Sequence, residues 1–217
     1  MYNTLETIVW LAEEGRNSEV VEMTMAFTGF LRISLSRGAD YITVEREEQH
    51  VANYLQIQSV RYGSIMRYTI DIDPALHERY MLKIVLQPLV ENSIRHGNLL
   101  KLDNSRLTIR AFVEGNYLHL FVKDTGTGIS AERLEELTHS LQQVKAAASS
   151  SDAETFVDAL NRFSEERPVS RTADIQSEQQ LETDRENRYV SNNIGMRNVY
   201  QRLLLNYKNQ CSMEISS

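Results

Sequence analysis

Residues 86–97, LQPLVENSIRHG, combine side chains that can bind a metal ion and phosphate groups. On a helix, Asn92 and His96 share one face because they are four residues apart, and Glu91 and Arg95 share the neighbouring face. An amide oxygen, a carboxylate, a cation and an imidazole turned toward one cleft suit Mg²⁺ bound together with phosphates, since Mg²⁺ takes few protein ligands. Taken alone, the stretch fits equally well a buried helix with a solvated polar rim.

Residues 122–129, VKDTGTGI, form a second candidate, directly after a strand-like run. Gly126 and Gly128 permit a positive φ and a close approach of the backbone to a ligand. Asp124, at the predicted end of the strand, can accept a hydrogen bond from an amino group on a base. Taken alone, this pattern predicts only a tight turn between a strand and a helix.

Residues 193–199, NIGMRNV, form the third candidate. Gly195 stands at the predicted start of a helix, where exposed backbone N–H groups and the positive end of the helix dipole suit a phosphate. Glycine also begins helices that bind no ligand, so this stretch carries little weight by itself.

The elements that must position these stretches follow from hydrophobic periodicity. Three helical segments run from Met1 to about Tyr62, and Thr43 is a candidate cap for the third. The later predicted elements are strand 66–72, helix 82–94, strands 107–113 and 117–122 around a turn at 114–116, helix 194–207 and strand 212–215. Helices combined with mostly antiparallel strands favour an α+β layered fold.

A long insertion interrupts this pattern between about residues 140 and 190. Its second half, residues 165–188, is rich in charge and glutamine and poor in apolar residues, so it cannot bury enough apolar surface to offset the entropy of ordering. Apolar spacing predicts two helices in and before the insertion, roughly 131–148 and 153–165, followed by a mobile tract. A passive spacer and a regulatory segment are both open readings.

The composition excludes several classes of protein. A net charge of −7 argues against general nucleic-acid binding through a basic surface. A single cysteine, Cys211, excludes an intramolecular disulfide and fits a reducing compartment. No apolar run approaches the roughly 20 residues that span a bilayer. We therefore expect a cytoplasmic piece.

The three candidate stretches, in their order, resemble the N, G1 and G2 boxes of the GHKL ATP-binding fold, and more narrowly the LytS/YesM-type sensor histidine kinases. Upstream, LRISLS at 31–36, NYLQIQ at 53–58 and Arg61–Tyr62 are similar to the linker of that family. The resemblance covers residues 1 to about 138 and 192 to 217. It implies, in order, a dimerisation and phosphoacceptor hairpin over 1–40, a linker helix over 41–64, and a GHKL (Bergerat-type) α/β sandwich over 65–217 with a lid insertion at about 131–190.

The resemblance also implies a role for each site residue. Asn92 would coordinate Mg²⁺, Asp124 would bind the adenine amino group, and Glu91 would polarise the incoming histidine or support the metal. The implied catalytic residues are Glu91, Asn92 and His96. The implied ATP-binding residues are Asn92, Arg95, His96, Asp124, Gly126, Gly128, Gly195 and Asn198.

The implied activity is transfer of the ATP γ-phosphate to a histidine and then to an aspartate of a response regulator. The family carries that histidine in a stretch like NPHFLYNTL, and this chain begins MYNTL, so we expect a fragment cut just after the phosphoacceptor, inactive in autophosphorylation. A family G-x-G-T turn and a last strand are also absent from the sequence, which bears on closure of the adenine site. The implied parent is a homodimer, held in the bacterial cell membrane by segments outside this sequence.

Two alternatives stay open at this stage. One is a GHKL-type ATPase, as in gyrase and mismatch-repair proteins, which place a general-base glutamate four residues before the N-box asparagine. Here that position is Pro88, which cannot act as a base, so a kinase is favoured. The other is a degenerate regulatory module that binds nucleotide or only dimerises.

Overall fold

The computed structural model describes residues 2–36, 40–63, 66–100, 104–149 and 195–216. The chain divides into two compact units, residues 1–128 and residues 129–217. The described part of the first unit contains three helices, two small sheets and a fourth helix, and that of the second contains helices and an extended tail.

Three helices open the first unit, as predicted: α1 (Tyr2–Glu13), α2 (Asn17–Ser34) and α3 (Val44–Tyr62). The Thr43 hydroxyl caps α3 by accepting a hydrogen bond from the Arg46 N–H at 3.3 Å. The helices share an apolar core formed by Leu11, Met23, Ala26 and Ile57, with Ile8, Val20, Phe27, Phe30 and Val60 packed against it. Burial of this stripe stabilises the three helices more than their intrinsic propensities do.

A second apolar stripe on the first two helices faces away from this core. Leu5 of α1 is 50% exposed, and Val21 and Met25 of α2 are 57% and 71% exposed. Ile8 and Leu11 of α1 instead pack in the core, where Leu11 is completely buried. The hairpin therefore presents apolar surface that its own chain does not cover in the described residues.

The described residues of the first unit form two sheets. Strands β2 (Met66–Ile72), β4 (Ser105–Glu114) and β5 (Tyr117–Asp124) form one sheet in the order β2-β4-β5. β2 runs parallel to β4, and β4 runs antiparallel to β5 with Leu107 opposite Asp124. The other sheet pairs the short strands β1 (Tyr41–Thr43) and β3 (Tyr80–Leu82), which the sequence did not predict.

Helix α4 (Leu86–His96) lies between β3 and β4 in the chain and contacts β5 and α3. It buries Leu86, Val90 and Ile94, and β4 buries Leu107 and Ile109. The predicted helix start at Leu82 was wrong. Residues 80–82 belong to β3, and Ile84 adopts a φ of 56°, which ends the strand in a turn before the helix can begin.

The second unit contains α5 (Ala131–Ser149) and a helix over residues 195–207, α6. Leu141 and Val144 of α5 pack with Tyr200 and Leu204 of α6, and the limits of α5 agree with the helix predicted at about 131–148. The predicted second helix at 153–165 and the tract to residue 190 lie outside the described residues. Residues 212–215 do not form the predicted strand, because Met213 and Ile215 pack on the helices instead.

None of the helices in the described ranges combines the length and the apolar character that crossing a membrane requires.

Candidate functional site

Glu47 of α3 satisfies the start of α4. Its carboxylate is completely buried and accepts hydrogen bonds from the backbone N–H groups of Ile84, Val85 and Leu86 at 2.7, 2.7 and 2.8 Å. The first N–H groups of a helix have no partner within the helix, and no side chain near Val85 in sequence caps α4. Pro88, in the first turn, has no N–H to satisfy. A residue 38 positions upstream of Val85 therefore supplies the cap.

The Glu91 carboxylate is held by its neighbour on the same helix face. The Gln87 amide donates from Nε2 to Glu91 Oε1 at 2.8 Å, and its Oε1 faces His50 Nε2 at 2.6 Å. Because an amide oxygen only accepts, Nε2 of His50 carries the proton in this pair. His50 is completely buried and stacks on Phe30 of α2, with ring centroids 4.7 Å apart. A chain of contacts thus runs from α2 through α3 to Glu91.

Asn92 presents an unsatisfied polar group. Its Nδ2 atom is buried and makes no hydrogen bond with any described residue. A buried amide without a partner is uncommon and costly. A free NH₂ donor fits a site completed by an acceptor such as a phosphate oxygen, and Oδ1 of the same amide is the atom that could bind a metal ion.

The end of α4 meets the Asp-x-Gly-x-Gly turn through two glycines. A Cβ atom built on Gly126 would overlap the backbone of Gly97, and one built on Gly97 would lie 2.9 Å from Asp124 Oδ1. Thr127 reinforces the junction: its N–H donates to the Gly97 carbonyl at 3.2 Å and its hydroxyl to the His96 carbonyl at 3.3 Å. The structure therefore brings the helix of Asn92 and His96 against the turn that follows Asp124.

Asp124 organises that turn. Its Oδ1 accepts a hydrogen bond from the Gly126 N–H at 2.9 Å, an arrangement that fixes the chain two residues on. Thr125 anchors the same turn to β4, because its hydroxyl accepts from the Arg106 N–H at 2.9 Å. Gly128 has a φ of 72°, a conformation that favours glycine. The sequence predicted this turn, its glycines and the placement of Asp124 at the end of a strand.

A cavity of about 240 Å³ lies beside the same helix, between α3 and the end of α4. Tyr54, Arg61, Tyr62, Arg95 and Asn98 contribute polar groups to its wall. Burial raises the pKa of Tyr54, and the negative charge of Glu91 raises that pKa further, while Arg95 lowers it. The phenol therefore stays neutral next to a carboxylate and a guanidinium.

Gly195 and Asn198 belong to the second unit. Gly195 is the first described residue of α6, and Asn198 is exposed on that helix. Arg197 lies between them in the sequence, and burial lowers its pKa. Their predicted roles stay predictions, since Asn92 and Asp124 lie in the first unit.

Sequence reasoning did not single out Glu47, Gln87 or Gly97. Glu47 carried a visible signal, because it interrupts an apolar stripe on α3 formed by Val44, Val51 and Leu55. An acidic residue on a buried stripe requires a partner. Gln87 and Gly97 carried none, since their importance depends on atoms that only the folded chain brings near.

The described ranges contain no group of three or more histidine, cysteine, aspartate or glutamate side chains that could hold a metal ion together. Asn92 is the residue on α4 that fits a metal shared with phosphates, since Mg²⁺ commonly keeps one or two protein ligands and fills the remaining positions with phosphate oxygens and water.

Two protein-family models match the chain. One, described as histidine kinase, matches residues 1–66, and the other, described as histidine kinase-, DNA gyrase B-, and HSP90-like ATPase, matches residues 78–161. The boundary between the two matches falls between the end of α3 and β3.

Curated relatives give the same picture. The chain is 30% identical over 135 residues to the sensor histidine kinase YesM of Bacillus subtilis, which covers 62% of this chain and 23% of the relative. It is 34% identical over 125 residues to the sensor histidine kinase BtsS of Escherichia coli, covering 57% and 22%. The sensor protein kinase HptS of Staphylococcus aureus is 28% identical over 142 residues, covering 65% and 27%. The chain thus spans about a quarter of the length of these relatives.

Proposed function

Because this chain belongs to the sensor histidine kinases of the LytS/YesM type, we propose that it is the catalytic region of a two-component kinase. In this proposal it binds ATP with Mg²⁺ and directs the γ-phosphate to a histidine, from which a response regulator aspartate receives it. The order of the two family matches, kinase hairpin and then ATPase domain, supports the proposal. The first unit carries the helix and turn that would hold the nucleotide.

The observation that carries the proposal is the contact between Gly97 and Gly126. It joins the end of the helix that bears Asn92 and His96 to the turn that begins at Asp124. One end of this junction offers polar groups for a metal and phosphates, and the other offers a carboxylate for the amino group of a base. A nucleotide has the same two ends.

The roles follow from chemical type. Asn92 would bind Mg²⁺ shared with the phosphates, and Arg95 and His96 would lie near those phosphates. Asp124 would accept a hydrogen bond from the adenine amino group through the oxygen that Gly126 does not use. Glu91 would polarise the incoming histidine or support the metal. Gly126, Gly128, Gly195 and Asn198 would line the nucleotide. Positioning and neutralisation of charge supply most of the catalysis in phosphoryl transfer, so no protein nucleophile is needed at the ATP site.

Pro88 supports a kinase over a hydrolase. It occupies the first turn of α4, one helical turn before Asn92, and its ring has no group that could take a proton from water. An ATPase would need another general base at that position along the helix. Gln87, the neighbour of Pro88, is an amide and already engaged with Glu91 and His50.

The finer parts of the proposal concern the partners. The exposed stripe of Leu5, Val21 and Met25 fits pairing with a second copy in a four-helix bundle, and a response regulator would be the phosphate acceptor. We place the chain in the cytoplasm, in a parent protein of the cell membrane. The five histidines of this sequence lie outside any stretch like the family's acceptor motif, so these 217 residues alone should form no phosphohistidine.

Binding of ATP to the 217-residue chain tests the proposal. Titration calorimetry should show ATP binding that becomes tighter when Mg²⁺ is added, with ADP competing. The absence of ATP binding, with and without Mg²⁺, to a chain that is folded by circular dichroism would contradict the proposed function. Acid-labile, alkali-stable phosphate on the isolated chain would contradict the expectation that it holds no acceptor.

A further inference from the structure

Buried side chains of helix α3 make two hydrogen-bonded contacts with α4 and the turn before it. Both contacts bear on the proposed site. The first is the cap that Glu47 provides to the N–H groups of Ile84, Val85 and Leu86. The second is the pair between His50 and Gln87. Since Glu47 and His50 are three residues apart, they lie on the same face of α3. We call these contacts of Glu47, His50 and Gln87 the α3–α4 joint.

The Glu47 contact determines where α4 begins. Three N–H groups converge on one carboxylate. If the first turn of α4 shifted along its axis or rotated about it, the buried Glu47 carboxylate would lose these hydrogen bonds, which is costly. Ile84 adopts a φ of 56°, a conformation that is unfavourable for a β-branched residue. The hydrogen bond from its N–H to Glu47 Oε2 holds this turn in place.

The His50 contact determines how Glu91 points. Because the Glu91 carboxylate accepts from Gln87 Nε2, Gln87 Oε1 is left facing Nε2 of His50, and the Gln87 amide cannot turn over without setting its oxygen against the carboxylate. Its Nε2 is thereby directed at Glu91 Oε1, one helical turn along α4. Phe30 of α2 covers the His50 ring, so a movement of α2 against α3 would disturb this alignment.

We propose that the α3–α4 joint positions the candidate site: Glu47 fixes the start of the helix that carries Asn92, and the His50–Gln87 pair fixes the direction of the Glu91 carboxylate. Glu47, His50 and Gln87 are positioning residues, since they act through α4 and Glu91. This inference rests on the proposed function and adds its regulation. A change in the packing of α2 on α3 would reach Glu91 through two side chains.

The experiment measures ATP affinity with Mg²⁺ and with a chelator in Glu47→Gln and in Gln87→Met. Gln keeps the length of Glu47 but places an NH₂ group against backbone N–H donors, and Met keeps the length of Gln87 without hydrogen bonds. Glu45→Gln and Gln49→Met are the matched controls, because both residues are exposed on α3. All variants are compared at a temperature where circular dichroism shows them folded.

We expect the gain in affinity on adding Mg²⁺ to fall about tenfold in both variants, which is the size of effect typical for residues that orient metal ligands. Affinity without Mg²⁺ should stay unchanged, because the contact of α4 with the Asp124 turn remains. A purely structural role would lower both affinities together or neither. If Glu47→Gln fails to fold, Gln87→Met decides the question.

If both folded variants keep the wild-type increase in ATP affinity on adding Mg²⁺, this inference is overturned and the proposed function still stands. A wild-type chain that binds no ATP overturns the proposed function itself. The two failures are therefore distinguishable in one set of titrations.

Discussion

The Gly126 backbone lies against that of Gly97, so a Cβ on Gly126 would overlap Gly97, and a Cβ on Gly97 would overlap the Ser93 carbonyl and approach Asp124. Gly97 has an ordinary helical φ of −67°, which any residue could adopt. Space, and not backbone conformation, is therefore what requires glycine at the end of α4. The contact makes the helix and the turn one structural unit.

This contact predicts a large effect of Gly126→Ala. The added methyl group must displace the Gly97 backbone, and we expect the free energy of unfolding to fall by about 3 kcal/mol, at the upper end of overpacking costs. Gly115→Ala is the control, since Gly115 has a φ of 60° but open space around it, and should cost about 1 kcal/mol from backbone strain alone. Urea unfolding measures both, and equal losses would contradict the packing argument.

The proposed metal role of Asn92, through its Oδ1 atom, predicts a Mg²⁺-specific defect in ATP binding. Asn92→Ala should reduce the gain in ATP affinity on adding Mg²⁺ by about tenfold, or about 1.4 kcal/mol, while affinity without Mg²⁺ is retained. Removing the Asn92 Nδ2 group, which is buried without a partner among the described residues, should leave stability unchanged or slightly higher. Ser93→Ala, on the next position of α4, is the control. Unaltered Mg²⁺ dependence in Asn92→Ala would refute its metal role.

The buried Tyr54 phenol predicts a specific alkaline response. In the folded chain its pKa is raised, mainly by burial and then by the charge of Glu91. In the unfolded chain the same phenol titrates at about pH 10. Above that pH the unfolded state loses the proton first, so the free energy of unfolding falls as pH rises. Tyr54→Phe should flatten this decline, and Tyr117→Phe, at an exposed tyrosine, should not. Denaturant unfolding between neutral pH and alkaline pH reads out the difference.

The exposed stripe on α1 and α2 predicts self-association. Met25→Glu places a charge in the middle of the proposed interface and should weaken the dimer at least about tenfold, since an unpaired buried charge is strongly unfavourable. Val113→Glu changes another exposed apolar residue, on β4, and should leave association unchanged. Sedimentation velocity over a range of concentrations compares them. A wild-type chain that is monomeric at high concentration would count against the bundle.

The packing of α5 predicts protection in the first part of the insertion. Leu141 and Val144 are buried against α6, so amides in their turns of α5 should exchange slowly with deuterium. If the insertion acts as a lid, ATP should change the exchange rates there. Fast exchange across residues 131–149, unchanged by ATP, would leave only a passive spacer.

The parts of the fold that local pattern controls were predictable from the sequence. Strand β2 alternates apolar and polar residues over Met66–Ile72, and its predicted and observed limits coincide. Thr43 stands before a helical repeat and does cap α3. The Asp124 turn follows from one aspartate and two glycines. In each case the decisive interactions lie within a few residues.

The parts of the fold that depend on contacts between distant residues were not predictable from the sequence. The strands β1 and β3 have three residues each, too few for an alternation to show, and they exist because they pair with one another. The start of α4 depends on Glu47, and no neighbouring residue marks it. Met213 and Ile215 alternate like a strand, but their apolar side chains are used against helices. Pattern alone does not reveal the partner of an apolar face.

The remote origin of the α4 cap also constrains how such proteins can be recombined. In the proposed function, α3 is the linker helix, and it is therefore the place where the sensor half of one kinase would be joined to the ATP domain of another. Here a junction placed after Tyr62 would take Glu47 and His50 from one parent and α4 from the other. The donor of the ATP domain must therefore bring its own α3, and a working chimaera should have its crossover upstream of Thr43.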